Sequence, residues 1–231
     1  MTMNGSSTDI KLDNWQAVSD FTDSLLPIPA WLFESVAQAG SLYPKHAFSK
    51  GQLSSKAWML DQLTQCVDNN NTVTTAAVLG SWIGSLIPFL HQRFSIDRIY
   101  GFDLDAHSID LSEQLNQRYV QDSWRYKGVV ADVTQLDCGD MHFETAAELI
   151  NVTPDWIINT SCEHMNTDWF HTCSSEQLIV MQTNNSAQYE GHINTCDSQF
   201  EMWDKYPLSD RLYSGSLTTP AYTRFMQIGY K

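Results

Sequence analysis

Five short apolar-rich runs recur along this chain: AAVL (76–79), RIYGF (98–102), KGVVA (127–131), DWII (155–158) and QLIVM (177–181). The stretches between them, such as 84–94 and 106–119, are long enough for helices. A brief, nearly continuous apolar run suits a strand covered on both faces, which is the condition of strands in a parallel sheet. Parallel strands need crossover connections, and helices supply them, so strand alternating with helix leaves few other architectures. The C-terminal stretch behaves differently. RLYSGSL (211–217) and YTRFMQIGY (222–230) alternate in polarity and are joined by TTPA, which predicts an antiparallel pair at one edge. The expected fold class is α/β, a doubly wound seven-stranded mostly parallel sheet with an antiparallel last strand.

Ahead of the first strand the periodicity is helical. Trp15, Val18, Phe21, Leu25, Trp31, Leu32 and Val36 recur at helical spacing between Asp13 and about Gly40, around a break at LLPIPA. A second pattern from about Leu53 to Val67 has Ala57, Trp58, Leu60 and Leu63 as its apolar positions, and NNNT (69–72) then separates it from the first strand. Residues 1–70 therefore read as an N-terminal helical cap, and 71–231 as one compact sheet domain.

Charge narrows the possible partners. A formal charge of −14 and a pI near 4.6 argue against a nucleic-acid surface, because lysine and arginine contacts to phosphates dominate such affinity. No apolar run is long enough to cross a bilayer, and MTMNGSSTDIKLDN lacks a basic-then-apolar leader, so we expect a cytoplasmic protein without a membrane partner. Five cysteines, at 66, 138, 162, 173 and 196, form no C-x-x-C pair, which predicts free thiols in a reducing compartment. The Asn-x-Thr/Ser triplets at Asn70, Asn151 and Asn159 would matter only in a secreted chain.

In a doubly wound sheet, ligands bind beyond the carboxyl ends of the strands. AAVL runs into Gly80-Ser81-Trp82-Ile83-Gly84, where Gly80 can turn the chain without a clash and Gly84 can admit a helix or ligand. About 23 residues after Gly80, RIYGF ends in Asp103, whose carboxylate can accept from both hydroxyls of a ribose. The third strand ends in Asp132, followed by Val133, and an acid there can accept from an adenine amino group. Each acid alone also suits a strand-end turn or helix cap. A dinucleotide enzyme is disfavoured, since the closing G-x-x-G pair is absent and the sheet ends antiparallel.

The succession VLGSWIG, YGFDLD, VVADVTQL and DWIINTS resembles the class I S-adenosylmethionine (SAM)-dependent methyltransferases, with their glycine loop, ribose acid, adenine acid and segment after the fourth strand. RLYSGSL and YTRFMQIGY resemble that family's strands six and seven, so the resemblance covers about 73–231. SKGQ…SK together with INTSCEH is similar to poorly characterised members of the group, which extends the resemblance into the cap. The loop departs from the family's usual D/E-x-G-x-G-x-G, reading L-G-S-W-I-G with no preceding acid. The resemblance implies SAM as cofactor, held by Gly80, Ser81, Trp82, Gly84, Asp103, Asp132 and Val133. Trp82 can set an aromatic face against the sulfonium, or serve as a hydrophobic plug under the cap.

By the same resemblance INTSCEHMNTDW (158–169) lies where the family sets groups against the sulfonium. Asn159 and Ser161 can hydrogen-bond a substrate or the methionine amine, while Glu163 and His164 are candidates for proton removal or, alternatively, caps of the next helix. QTNN (182–185) follows the fifth run, and EGHINT (190–195) brings His192 toward the same rim. FSKGQLSSK (48–56) places Lys50, Gln52, Ser55 and Lys56 at a helix start, where Lys50 and Gln52 can hold the SAM carboxylate. A solvated first turn capped by Ser54 or Ser55 is the alternative. Cys162, His164, His171 and Cys173 make a C-x-H-x6-H-x-C pattern, with His192 and Cys196 nearby, but the spacing is not that of a zinc finger and we expect no metal.

The expected function is methyl transfer from SAM to a small molecule, with a homodimer compatible. Two others stand beside it. Cleavage of a different carbon–sulfur bond would transfer the aminocarboxypropyl arm, or cyclise it to azetidine-2-carboxylate with release of methylthioadenosine. A non-catalytic SAM-binding module is the third.

Overall fold

The computed structural model describes residues 28–39, 42–68, 71–145, 148–219 and 221–231. The helical pattern expected over 13–27 lies outside them.

Strand β1 (Val73–Leu79) lies inside a seven-stranded sheet. It pairs in parallel with β2 (Ile96–Asp103) on one side and β6 (Trp156–Asn159) on the other, Val78 lying between Gly101 and Ile158. Beyond β2 comes β3 (Tyr126–Val130), and beyond β6 comes β7 (Leu178–Asn184), both parallel. The sheet closes with β9 (Thr223–Tyr230), antiparallel to β7, and β8 (Asp210–Thr218), antiparallel to β9. The order β3-β2-β1-β6-β7-β9-β8 is the doubly wound, mostly parallel arrangement expected, with the chain reversing direction of travel at β1.

Successive side chains of a strand point to opposite faces, and the two faces carry separate cores. Val78, Ile158, Val180, Met226 and Ile228 pack on one side with Leu53, Leu60 and Leu63 of α2 (Lys50–Cys66) and Leu32 of α1 (Ala30–Ala39). Leu79, Phe102 and Ile157 face the other way, toward Trp169, Phe170 and Tyr206. Trp169 and Phe170 belong to α6 (Asp168–Thr172), and Tyr206 ends α7 (Gln199–Lys205). No described helix is long and apolar enough to cross a membrane. All five cysteines are free.

Several boundaries differ from the sequence pattern, each for a local reason. Helix α2 starts at Lys50, three residues before its first apolar position, because Ser49 rather than Ser54 or Ser55 accepts the Gln52 N–H. The helical run after β1 begins only at α3 (Ile87–Arg93), with Pro88 in its first turn. The run 106–119 breaks at Asn116 into α4 (Ala106–Leu115) and α5 (Gln117–Gln121). Asn116 is fully buried there and donates to the Gly84 and Ser112 carbonyls at 3.1 and 2.9 Å, anchoring the break to the glycine loop. Between β3 and β6 the chain inserts a hairpin, β4 (Met141–Glu144) with β5 (Leu149–Val152), whose Phe143 packs edge-on against Tyr100 and Phe102. Finally, Gln182, Thr183 and Asn184 belong to β7 rather than following it. Polar side chains can extend the strand because each has a hydrogen-bond partner: Ser55 donates to Gln182 at 2.8 Å, Thr183 donates to the Asn194 carbonyl, and Asn184 donates to Glu163 at 2.6 Å.

Candidate active site at the carboxyl ends of the strands

A cavity of about 1010 Å³ opens beyond the carboxyl ends of β1, β2, β3, β6 and β7. One of its walls is the loop after β1, where Gly80, Trp82 and Gly84 have φ of 61°, 49° and 66°. All are left-handed, a conformation open to glycine and strained for tryptophan. Trp82 is held in it by its own N–H, which donates to Asp103 Oδ2 at 2.7 Å, while the Ser81 N–H donates to the Phe102 carbonyl at 2.8 Å. A Cβ on Gly84 would collide with Ser112 Oγ and lie 2.7 Å from Asn116 Nδ2, so this glycine admits α4 rather than a ligand.

Asp103 and Asp132 lie side by side at the ends of β2 and β3, where the Ala131 N–H donates to the Asp103 carbonyl at 3.0 Å. Asp103 is half-buried, and each of its oxygens takes one backbone N–H, from Trp82 and Asp105, leaving lone pairs toward the cavity. Asp132 gives only Oδ1 to Thr134, through its N–H at 3.0 Å and its hydroxyl at 2.7 Å. Its other oxygen is open to a ligand, and Val133 lines the wall beside it.

The far end is polar and partly buried. Glu163 is 2 % exposed and receives on Oε1 both the Asn184 amide at 2.6 Å and Arg224 at 3.5 Å, while Oε2 has no partner among the described residues. Arg224, itself buried in β9, also donates to the Thr160 carbonyl at 3.0 Å. Lys56 reaches the same cavity from α2, its ammonium 3.1 Å from Gln52 Oε1 and without a carboxylate at ion-pair distance among the described residues. Burial, helped by the neighbouring Arg224 charge, lowers the Lys56 pKa to about 7. His164 and His192 close the rim with their ring centroids 4.6 Å apart.

The cavity thus brings together Gly80, Ser81, Trp82, Asp103, Asp132, Val133, Gln52, Ser161, Glu163, His164 and His192. Three residues singled out from sequence lie elsewhere. Gly84 is beneath the loop, for the packing reason given. Lys50 is exposed at the first turn of α2 and does not line the cavity; Lys56, almost two turns on, is the lysine that does. Asn159 is fully buried below the floor, accepting the Ser161 N–H at 3.0 Å and donating to Met165 Sδ at 3.2 Å, so it shapes the turn that presents Ser161. The sequence reading missed Arg224 and Tyr222. An arginine inside β9, a strand paired on both sides, was the available signal, since a buried charge there needs a partner. The cysteine–histidine pattern does not assemble: among the described residues only Glu163, His164 and His192 cluster as candidate metal ligands.

This strand order, with the antiparallel end and the acids at successive strand tips, is the class I SAM-dependent methyltransferase fold. No family model matches the sequence and no curated protein is significantly similar to it. Solved structures match the fold. The N-methyltransferase NodS from Bradyrhizobium japonicum WM9, in complex with S-adenosyl-L-homocysteine, aligns with a TM-score of 0.58 at 10% identity over 87% of this chain and 98% of that one. Geranyl diphosphate C-methyltransferase from Streptomyces coelicolor A3(2) gives 0.53 at 14% identity over 81% and 87%. Magnesium protoporphyrin IX methyltransferase from Synechocystis PCC 6803, with bound S-adenosylhomocysteine, gives 0.50 at 12% identity over 97% and 96%.

Proposed function

We propose that this protein is a SAM-dependent methyltransferase acting on a small molecule. The observation that carries the reading is the pairing, in one 1010 Å³ cavity, of two strand-tip acids with a distant polar end. The donor set fits the cofactor: Asp103 has lone pairs for ribose hydroxyls, Asp132 has a free oxygen and Val133 an apolar face for adenine, and Gln52 with Lys56 can take a carboxylate. When bound, SAM supplies an electrophilic methyl group on a sulfonium. The protein's own part is to hold the partners in line, which supplies much of the rate in such displacements.

Trp82 and Met165 give the cavity wall apolar surface. The acceptor binds at the Glu163, His164 and His192 end, the polar end of the cavity away from the two strand-tip acids. A net charge of −14 and a concave site both favour a small acceptor over a nucleic acid.

The test is to incubate the protein with SAM, alone and with a metabolite extract, and identify the nucleoside product by mass spectrometry. S-adenosylhomocysteine that appears only with extract is the expected result. Methylthioadenosine formed without an acceptor would replace this reading with lyase or cyclase chemistry. SAM binding without turnover under either condition would make the chain a binding module.

A further inference from the structure

We propose that Glu163, His164 and His192 form a divalent transition-metal site at the acceptor end of the cavity, which takes the acceptor through an oxygen atom. The inference rests on the methyltransferase reading only for the word acceptor; the metal site itself stands on the geometry.

One ligand atom from each of the three residues lies within 4.8 Å of the others. Two imidazoles and a carboxylate are a donor set suited to first-row metals, and three protein ligands leave coordination positions open. Metal ligands in proteins are oriented by hydrogen bonds on the atoms they do not offer to the metal. All three residues here show that pattern. His164 Nδ1 meets the Gly191 carbonyl at 3.2 Å, and His192 Nδ1 meets the Ser186 carbonyl at 2.7 Å. A carbonyl only accepts, so Nδ1 of each ring is the donor, and in the neutral imidazole the lone pair is on Nε2. Glu163 has Oε1 fixed by Asn184 and Arg224, and its buried Oε2 is without a partner among the described residues. A buried carboxylate oxygen left bare is costly in a folded protein unless something occupies the space beside it.

The frame around the cluster is tied across two segments. The Ile193 and Asn194 N–H groups both donate to the Glu163 carbonyl, at 2.8 and 3.0 Å, and the Asn194 amide donates to the Met165 carbonyl at 3.0 Å. His192 therefore cannot drift from Glu163 and His164 without breaking three hydrogen bonds. Bonds of about 2.0–2.2 Å to a common ion put ligand atoms roughly 3–3.5 Å apart. Metal binding therefore draws the ligand atoms about 1–2 Å closer together, with His164 exposed and His192 half-buried at the rim. An acceptor hydroxyl on an open coordination position ionises more readily, its proton passing to solvent, and presents an oxygen nucleophile to the rest of the cavity.

The test uses the full chain and Co2+ alone, followed by calorimetry and by visible ligand-field absorption. One equivalent should bind with new visible bands, and His164→Ala or His192→Ala should each weaken binding more than 10-fold and remove the bands. Asn184→Ala, which removes the amide that fixes Glu163 Oε1 and the acceptor of the Ser186 N–H, should weaken it by roughly 10-fold to 100-fold. His107→Ala, on the exposed first turn of α4, should change neither. Absence of saturable Co2+ binding, or binding that survives the His164→Ala/His192→Ala double substitution, overturns the site. SAM affinity is measured separately on the same samples. Loss of Co2+ binding with SAM binding intact would sink the metal site alone, and Co2+ binding without SAM binding would sink the methyltransferase reading alone.

Discussion

Replacing Lys56 with methionine should make the ligand-free protein more stable. The lysine is buried beside Arg224 with only Gln52 to accept from it, and its pKa falls from 10.5 to about 7. At 1.36 kcal/mol per pH unit the shift amounts to about 5 kcal/mol, of which about 4 kcal/mol is felt at pH 7, where the folded lysine is half deprotonated. Methionine keeps the aliphatic stem and forfeits one hydrogen bond to Gln52, a loss of about 1 kcal/mol. A net gain of about 3 kcal/mol at pH 7 follows, or about 6–12 °C in Tm for a chain of this size. The sign of the pH dependence is fixed by proton counting. Between pH 7 and 10.5 the unfolded lysine is protonated and the folded one is not, so wild-type stability rises with pH through that window. The variant lacks that rise, and its advantage should shrink to under about 1 kcal/mol at pH 9.5. Urea unfolding of both proteins at pH 7 and 9.5 measures the two gaps. A variant no more stable than wild type at pH 7, or a gap that does not change with pH, would refute the reasoning.

Two other substitutions test the frame of the site. Gly84→Ala should destabilise by about 2–5 kcal/mol in urea unfolding, combining left-handed strain with a collision against Ser112 and Asn116; a loss below about 1 kcal/mol would mean the loop and α4 yield easily. Arg224→Met leaves Glu163 buried without its cation and should cost about 3–5 kcal/mol, part of which Glu163→Gln in the same chain should restore. A single substitution costing as much in the presence of Glu163→Gln as in its absence would show that the pair is not coupled.

How much of this was legible in the sequence depended on whether a residue's role was local. The seven main strands and the two acids at their tips could be placed, because a run of apolar residues followed by a turn former carries its own signal. Roles created by contacts distant along the chain left none. Gln182 and Asn184 looked like loop residues until Ser55 and Glu163, far away in sequence, supplied their buried partners. Asn159 looked like a substrate contact, yet its carboxamide is consumed by the turn that follows it. Lys50 and Lys56 were equivalent as charges near a helix start, and only the packing of α2 on the sheet decides which one faces inward. The hairpin between β3 and β6 was missed because its two strands are only four residues each, too short for alternation to stand out.

The glycine loop has a consequence for how such chains can be found. Positions 80, 82 and 84 all have left-handed φ, spaced like the three glycines of the usual fingerprint, yet the middle one is tryptophan. The backbone thus takes this path without the residue that makes it conspicuous. Asp103, by accepting the Trp82 N–H, supplies as a hydrogen bond some of what glycine supplies as conformational freedom. A pattern search keyed to glycines passes over this loop, whereas a search keyed to the sign of φ at alternate residues would stop at it.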